Sequence, residues 1–249
     1  MKILATYNIK GGVGKTATAV NLGWLASRHG YRTLIWDLDP QGAASFYFRI
    51  KPKIEGGAKG LLSGKRELDD VVKATDYTGL DLIPADFSYR NLDLSLADSK
   101  RPVRQLMKLL RPIASEYDLL ILDAPPSISL VSENIFHAAD ALLVPTIPTT
   151  LSLRTYDQLR KYFRKQGISG VSILPFFSMA DRRKSMHREI MEQTWAEDPA
   201  VLKADIPYSA DVERMGITRA PVGAYAPGSV PARAYEALWT ETLARLAMN

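Results

Sequence analysis

Short, continuously apolar stretches alternate along this chain with longer segments whose apolar positions recur every three or four residues. The pattern predicts strands over 2–7, 32–36, 80–83, 118–122, 141–145 and 171–176. It predicts helices over 15–29, 102–116, 129–139, 151–166, 184–197 and 231–247. Stretches such as 118–122 and 141–145 lack the in-and-out alternation of a half-buried strand, which is the mark of parallel strands covered on both faces. The expected fold is therefore α/β: a mostly parallel, doubly wound sheet flanked by helices on both faces. No internal repeat and no Pro/Gly/Ser-rich linker divides the chain, so one domain spanning 1–249 is expected. The segment from Lys51 to Lys65, with Gly56, Gly57 and Gly60, has the least pattern. It reads either as a mobile loop or as a plain surface connection.

The chemistry begins between the first strand and the first helix, at Lys10-Gly11-Gly12-Val13-Gly14-Lys15-Thr16-Ala17. Glycines let successive backbone N–H groups curl around an anion without Cβ clashes. The following helix adds the positive end of its dipole. In such a loop Lys15 lies along the β- and γ-phosphates and the Thr16 hydroxyl ligates Mg²⁺. A standard phosphate loop has a glycine five positions before Gly14, where this chain has Ile9, and it lacks the extra lysine, Lys10. Two ammonium groups this close repel each other unless several phosphate charges lie between or beyond them. One solution is that Lys10 serves a phosphate bound to another subunit.

Two apolar strands run into carboxylates. Residues 31–36 lead to Asp37 and Asp39, which share a side of an extended chain. Ligands of doubly wound sheets sit at the C-terminal strand ends. That placement suits Asp39 for orienting or deprotonating an attacking water, and Asp37 for holding a water on Mg²⁺. The plain alternative is that Asp39-Pro40 opens a turn or caps a helix. Asp123, after Leu119–Leu122 and before Pro125-Pro126, is expected to deliver one carboxylate to the Mg²⁺ shell.

Together, Lys10–Thr16, Asp37-Leu38-Asp39-Pro40-Gln41 and Ile121-Leu122-Asp123-Ala124-Pro125-Pro126 resemble the deviant Walker ATPases of the ParA/MinD group, and among them the small Soj-like partition ATPases. The resemblance covers nearly the whole chain. It implies that ATP and Mg²⁺ are bound, that Lys10 crosses a nucleotide-sandwich homodimer to the partner's phosphates, and that Asp39 serves hydrolysis. Ala17 stands where many relatives have a second Thr, losing a hydroxyl near the α-phosphate. The resemblance places adenine near Phe177–Arg182, with Ser178 and Met179 as candidate contacts, and near Pro207. It also implies non-specific DNA binding, a ParB-like or other cargo adaptor as partner, and slow hydrolysis until that partner arrives. A MinD-like membrane cycle and an ATP-binding scaffold are the alternatives.

Composition narrows these readings. With 46% hydrophobic and 24% charged residues the chain is ordinary globular material. The absence of cysteine excludes disulfides, thiolate nucleophiles and Cys-held iron–sulfur or zinc centres. The first residues turn polar too early for a secretory signal, so a cytoplasmic protein is expected, and the resemblance implies that it associates with the nucleoid. His29, His137 and His187 share no metal-ligand spacing and read as ordinary histidines. The net charge of +5 is modest, but nine Lys/Arg lie between Arg154 and Arg188 against Asp157 and Asp181 alone. Arg160, Arg164, Arg182, Arg183, Lys184 and Arg188, with Arg214 and Arg219 further on, are candidate phosphate-backbone contacts. A solvated helix face is the plain alternative. The amphipathic segment Ala232–Asn249 has few cations and is expected to dock on the protein body rather than on a membrane.

Overall fold

The computed structural model describes residues 1–248; Asn249, at the end of the expected domain and of the last amphipathic segment, lies outside them. One eight-stranded sheet organises the chain. Its strands are β1 (Lys2–Thr6), β2 (Thr33–Asp37), β3 (Lys73–Ala74), β4 (Leu80–Ile83), β5 (Leu119–Asp123), β6 (Ala141–Thr146), β7 (Ser172–Ala180) and β8 (Asp205–Pro207). They lie in the order β3-β4-β2-β5-β1-β6-β7-β8. Every neighbouring pair is parallel except β3 with β4. The register places Asp37 beside Asp123 and Thr6 on the other side of Asp123.

The helices are α1 (Lys15–Arg28), α2 (Ala43–Tyr47), α3 (Gly57–Leu62), α4 (Leu92–Ala97), α5 (Gln105–Leu110), α6 (Leu130–Ala138), α7 (Thr150–Gln166), α8 (Ser185–Glu197), α9 (Ala210–Glu213), α10 (Met215–Thr218), α11 (Val222–Tyr225) and α12 (Val230–Leu246). One face of the sheet packs against α1, α2 and α12 through Val20, Leu22, Leu25, Ala44, Leu238 and Trp239. The other packs against α3 to α7 through Leu61, Leu92, Leu106, Ile135, Leu159 and Phe163. This is the doubly wound α/β architecture read from the sequence.

Three expectations need correction. The helix expected over 102–116 is a 3-10 turn at Pro102–Arg104 followed by α5 alone. Pro112 has no N–H to continue the i→i−4 ladder, so α5 ends at Leu110 even though Arg111 keeps helical backbone (φ −55°, ψ −46°). The 51–65 segment, expected to be irregular, contains α3. Ala58 and Leu61 are buried there, and the Ser88 hydroxyl accepts the Ala58 N–H at 2.8 Å. The strands drawn to residues 36, 122 and 176 also stop short: Asp37 and Asp123 belong to β2 and β5, and β7 continues to Ala180.

The C-terminal amphipathic segment docks as α12. Tyr235, Leu238, Trp239, Thr242 and Leu246 are buried, and the Trp239 indole N–H donates to His29 Nδ1 at 2.6 Å. The histidines are ordinary: His187 is buried and accepts the Asp181 N–H at 3.1 Å, and His137 is exposed. Trp239→Ala is expected to destabilise the fold by about 3–5 kcal/mol. Urea denaturation checks this through a lower midpoint at unchanged slope.

Candidate nucleotide site

Tyr7 and Asn8 fix the start of the loop that leaves β1. The Tyr7 hydroxyl donates to Ser127 O at 3.0 Å, and Asn8 Nδ2 donates to Pro145 O at 2.8 Å. Asn8 Oδ1 then accepts the Lys10 N–H at 2.9 Å, which sets the direction of the chain entering the glycines. Gly12 (φ 70°) and Gly14 (φ 94°) lie in the left-handed region. A Cβ on Gly14 would also sit 2.8 Å from Ser178 Oγ, so both conformation and space select glycine there. No side chain caps α1 and no acid lies in its first turn. Its leading N–H groups and its dipole therefore face the loop. Lys15 Nζ donates to the Lys10 carbonyl at 3.0 Å. Burial lowers the Lys15 pKa, against the pull of Asp123 and Asp39.

Beneath the loop lie Asp37 and Asp123, both fully buried. Asp37 Oδ2 accepts the backbone N–H and the hydroxyl of Ser45, each at 2.8 Å. Asp123 Oδ1 accepts the Thr6 hydroxyl at 3.2 Å. The other two oxygens, Asp37 Oδ1 and Asp123 Oδ2, have no partner. Loss of hydration pushes Asp37 up to about 6 and Asp123 up to about 8, with their mutual repulsion adding to Asp123 and the Thr16 and Thr6 hydroxyls opposing it. Orphaned buried carboxylate oxygens beside a threonine suit a hard cation that keeps most of its waters. Among the described residues no cluster of three or more His, Asp or Glu forms a dedicated metal cage. Mg²⁺ held partly by phosphate needs none.

Asp39 is partly exposed, and its carboxylate accepts the Gln41 N–H at 2.9 Å. It thus opens the turn that the plain reading expected, and it also borders a cavity of about 480 Å³. That cavity is walled by Gly11, Gly12, Gly14 and Lys15 to Ala17 on one side, and by Ser178, Met179, Pro207 and Tyr208 on another. Its volume suits a nucleotide-sized ligand. Met179 has φ 54°, at the irregularity where the β7–β8 register shifts between Ser178 and Ala180. Val13 is buried, and Lys10 is half-buried outside the cavity wall. Sequence reasoning passed over Thr6, Asn8, Ser45, Tyr47 and Tyr235. None belongs to a spaced motif; the fold alone brings them here.

The basic candidates divide. Arg160 pairs with Asp198 at 3.1 Å, Arg182 with Asp205 at 2.5 Å and Arg183 with Asp181 at 2.9 Å. Arg188 donates to the Arg182 carbonyl, and Arg219 lies over the Phe46 ring and donates to its carbonyl at 2.9 Å. Arg164, Lys184 and Arg214 are exposed, with no ion pair among the described residues.

The AAA domain family matches residues 1–168 of this chain. The chromosome partitioning protein ParA of Caulobacter vibrioides is 32% identical over 257 residues, covering 98% of this chain and 95% of that protein. The sporulation initiation inhibitor protein Soj of Bacillus subtilis is 31% identical over 254 residues, covering 98% of each. The chain belongs to the ParA/Soj family. Cobyrinic acid a,c-diamide synthase from Mycobacterium smegmatis, crystallised with an ATP analog and magnesium, superposes with a TM-score of 0.82 at 26% identity. That alignment covers 100% of this chain and 96% of that one. For a ParA/Soj chain, the buried carboxylate pair is a liability in the absence of cation. Both folded pKa values lie above the ordinary 3.8, so between that value and about pH 8 the folded state holds more protons than the unfolded one. Stability of the ion-free protein therefore falls as pH rises through this window. Asp123→Asn in chelator is expected to be more stable than the parent at pH 8, by about 1 kcal/mol or more, with the gain shrinking toward pH 5. Thermal melts across that range check both sign and slope.

Proposed function

We propose that this chain is a Mg²⁺-dependent ATP hydrolase that works as an ATP-driven dimerisation switch. In the ATP state it binds DNA without regard to sequence, and it segregates or positions a cargo such as a plasmid, a chromosome or a protein complex. The observation that carries the reading is the uncapped start of α1 behind a left-handed glycine loop, with Lys10 and Lys15 beside it and Asp39 lining the same cavity. Membership of the ParA/Soj family supports the partition role. The nucleotide and magnesium held by the M. smegmatis protein support the same cofactors here.

In this mechanism the amides of residues 11–17 and the Lys15 ammonium hold the phosphates, with adenine toward Met179 and Pro207. Thr16 and, through water, Asp37 and Asp123 would hold Mg²⁺, which when bound neutralises charge on the phosphate oxygens. Asp39 orients the attacking water and accepts its proton. The water oxygen bonds to the γ-phosphorus as the bond to the β–γ bridging oxygen breaks, leaving ADP and phosphate. Lys10 reaches the phosphates of the partner protomer, so two subunits close only when both are charged with ATP. A switch needs a long-lived ATP state, so turnover is slow until a ParB-like protein or another cargo adaptor stimulates it. DNA contact falls to Arg164, Lys184 and Arg214 first, because Arg160, Arg182 and Arg183 already face carboxylates. A membrane-cycling role asks for a free apolar helix face, whereas the apolar face of α12 is buried in the body. Among the described residues no helix is long and apolar enough to cross a membrane.

Lys10→Ala is expected to bind ATP within about threefold of the parent yet stay monomeric with ATP and Mg²⁺ in light scattering. An ATP-dependent dimer in that variant would refute the cross-subunit role. Asp39→Ala is expected to lower turnover by about 10²-fold or more while the ATP dimer persists. Unchanged phosphate release would move the catalytic base elsewhere.

A further inference from the structure

A further uncompensated run of positive charge lies outside every motif considered so far. From Ser99 to Ser115 there are five cations, Lys100, Arg101, Arg104, Lys108 and Arg111, and no acid. Arg104, Lys108 and Arg111 recur at i, i+4 and i+7, the spacing that aligns side chains along one side of a helical segment. In the fold, Arg101, Arg104, Met107, Lys108 and Arg111 line a groove of about 520 Å³ completed by His137 at the end of α6. No carboxylate lines it. The four cationic side chains make no ion pair and no hydrogen bond among the described residues. Two nearby acids are committed elsewhere: Glu133 accepts the Tyr162 hydroxyl, and Asp140 accepts the Ile3 N–H.

Four unpaired cations and no counter-charge define a site for a multiply anionic ligand. Two features favour a polypeptide over a DNA duplex. The site is concave, whereas a duplex is a broad rod whose backbone is met by protruding side chains. Met107, 44% exposed, offers an apolar contact that a sugar-phosphate backbone does not use and a peptide side chain does. We propose that the α5–α6 groove docks an acidic segment of a partner protein, its carboxylates on Arg104, Lys108 and Arg111 and an apolar side chain on Met107. This names the chemistry of the partner in the switch described above and rests on that reading for its biological role. Peptide binding itself does not depend on it.

The test uses the full chain, a labelled peptide of repeating Glu-Glu-Leu units, its Gln-Gln-Leu counterpart and a short labelled DNA duplex, read by fluorescence anisotropy at physiological salt. The parent is expected to bind the Glu peptide at least about tenfold tighter than the Gln peptide, a difference of about 1.4 kcal/mol. The triple variant Arg104→Glu, Lys108→Glu, Arg111→Glu is expected to lose that preference while ATP turnover and duplex affinity stay within about twofold. The triple Gln variant carries the same expectation and decides the matter if charge reversal impairs folding. Equal affinity for the two peptides, or peptide affinity that survives both variants, overturns the proposal. So does a loss of duplex affinity in the variants, which would make this face a nucleic-acid surface. A parent without ATP turnover would refute the switch and leave the peptide result standing.

Discussion

Two carboxylates forced side by side out of water are the constraint on which this molecule turns. Asp37 and Asp123 are register partners at the ends of adjacent parallel strands, and each retains one oxygen that nothing in the protein satisfies. Buried charge left in this state opposes folding. The remaining structure offsets that cost with a fully packed sheet and a ring of fixed donors: Ser45 on one acid, Thr6 on the other, and Lys15 overhead. The site thus presents buried acceptors whose natural complement is positive charge.

Much of this was legible in the residues. The glycine loop, the two lysines and the three aspartates stand in contiguous motifs next to the strands that carry them, so chain order alone placed them at one crevice. The long buried strands were equally plain, because parallel strands covered on both sides have little polar interruption. What escaped notice was short or non-local. β3 and β8 have two and three residues, too few to show a period. α3 is held by Ala58 and Leu61 facing the core and by Ser88, a partner thirty residues away. Ser45 is an unremarkable serine until the chain folds back to set it on Asp37.

Charge reading met the same limit. The run from Arg154 to Arg188 looks strongly basic in one dimension. In three, Arg160 and Arg182 meet acids from 198 and 205, beyond the window in which the surplus was counted. The shorter run around α5 drew no attention, yet it retains its whole charge because no acid reaches it. Linear charge density is a poor guide wherever later segments fold across earlier ones.

The 2.8 Å approach between the Cβ position of Gly14 and Ser178 Oγ has a mechanical meaning. A turn near the beginning of the chain and a strand end more than a hundred and sixty residues later are pressed together with no slack. The two walls of the crevice therefore cannot move closer together. Any bulk added at the turn would push the end of β7 outward, so the width of the crevice at this point is set by the absence of a side chain on Gly14.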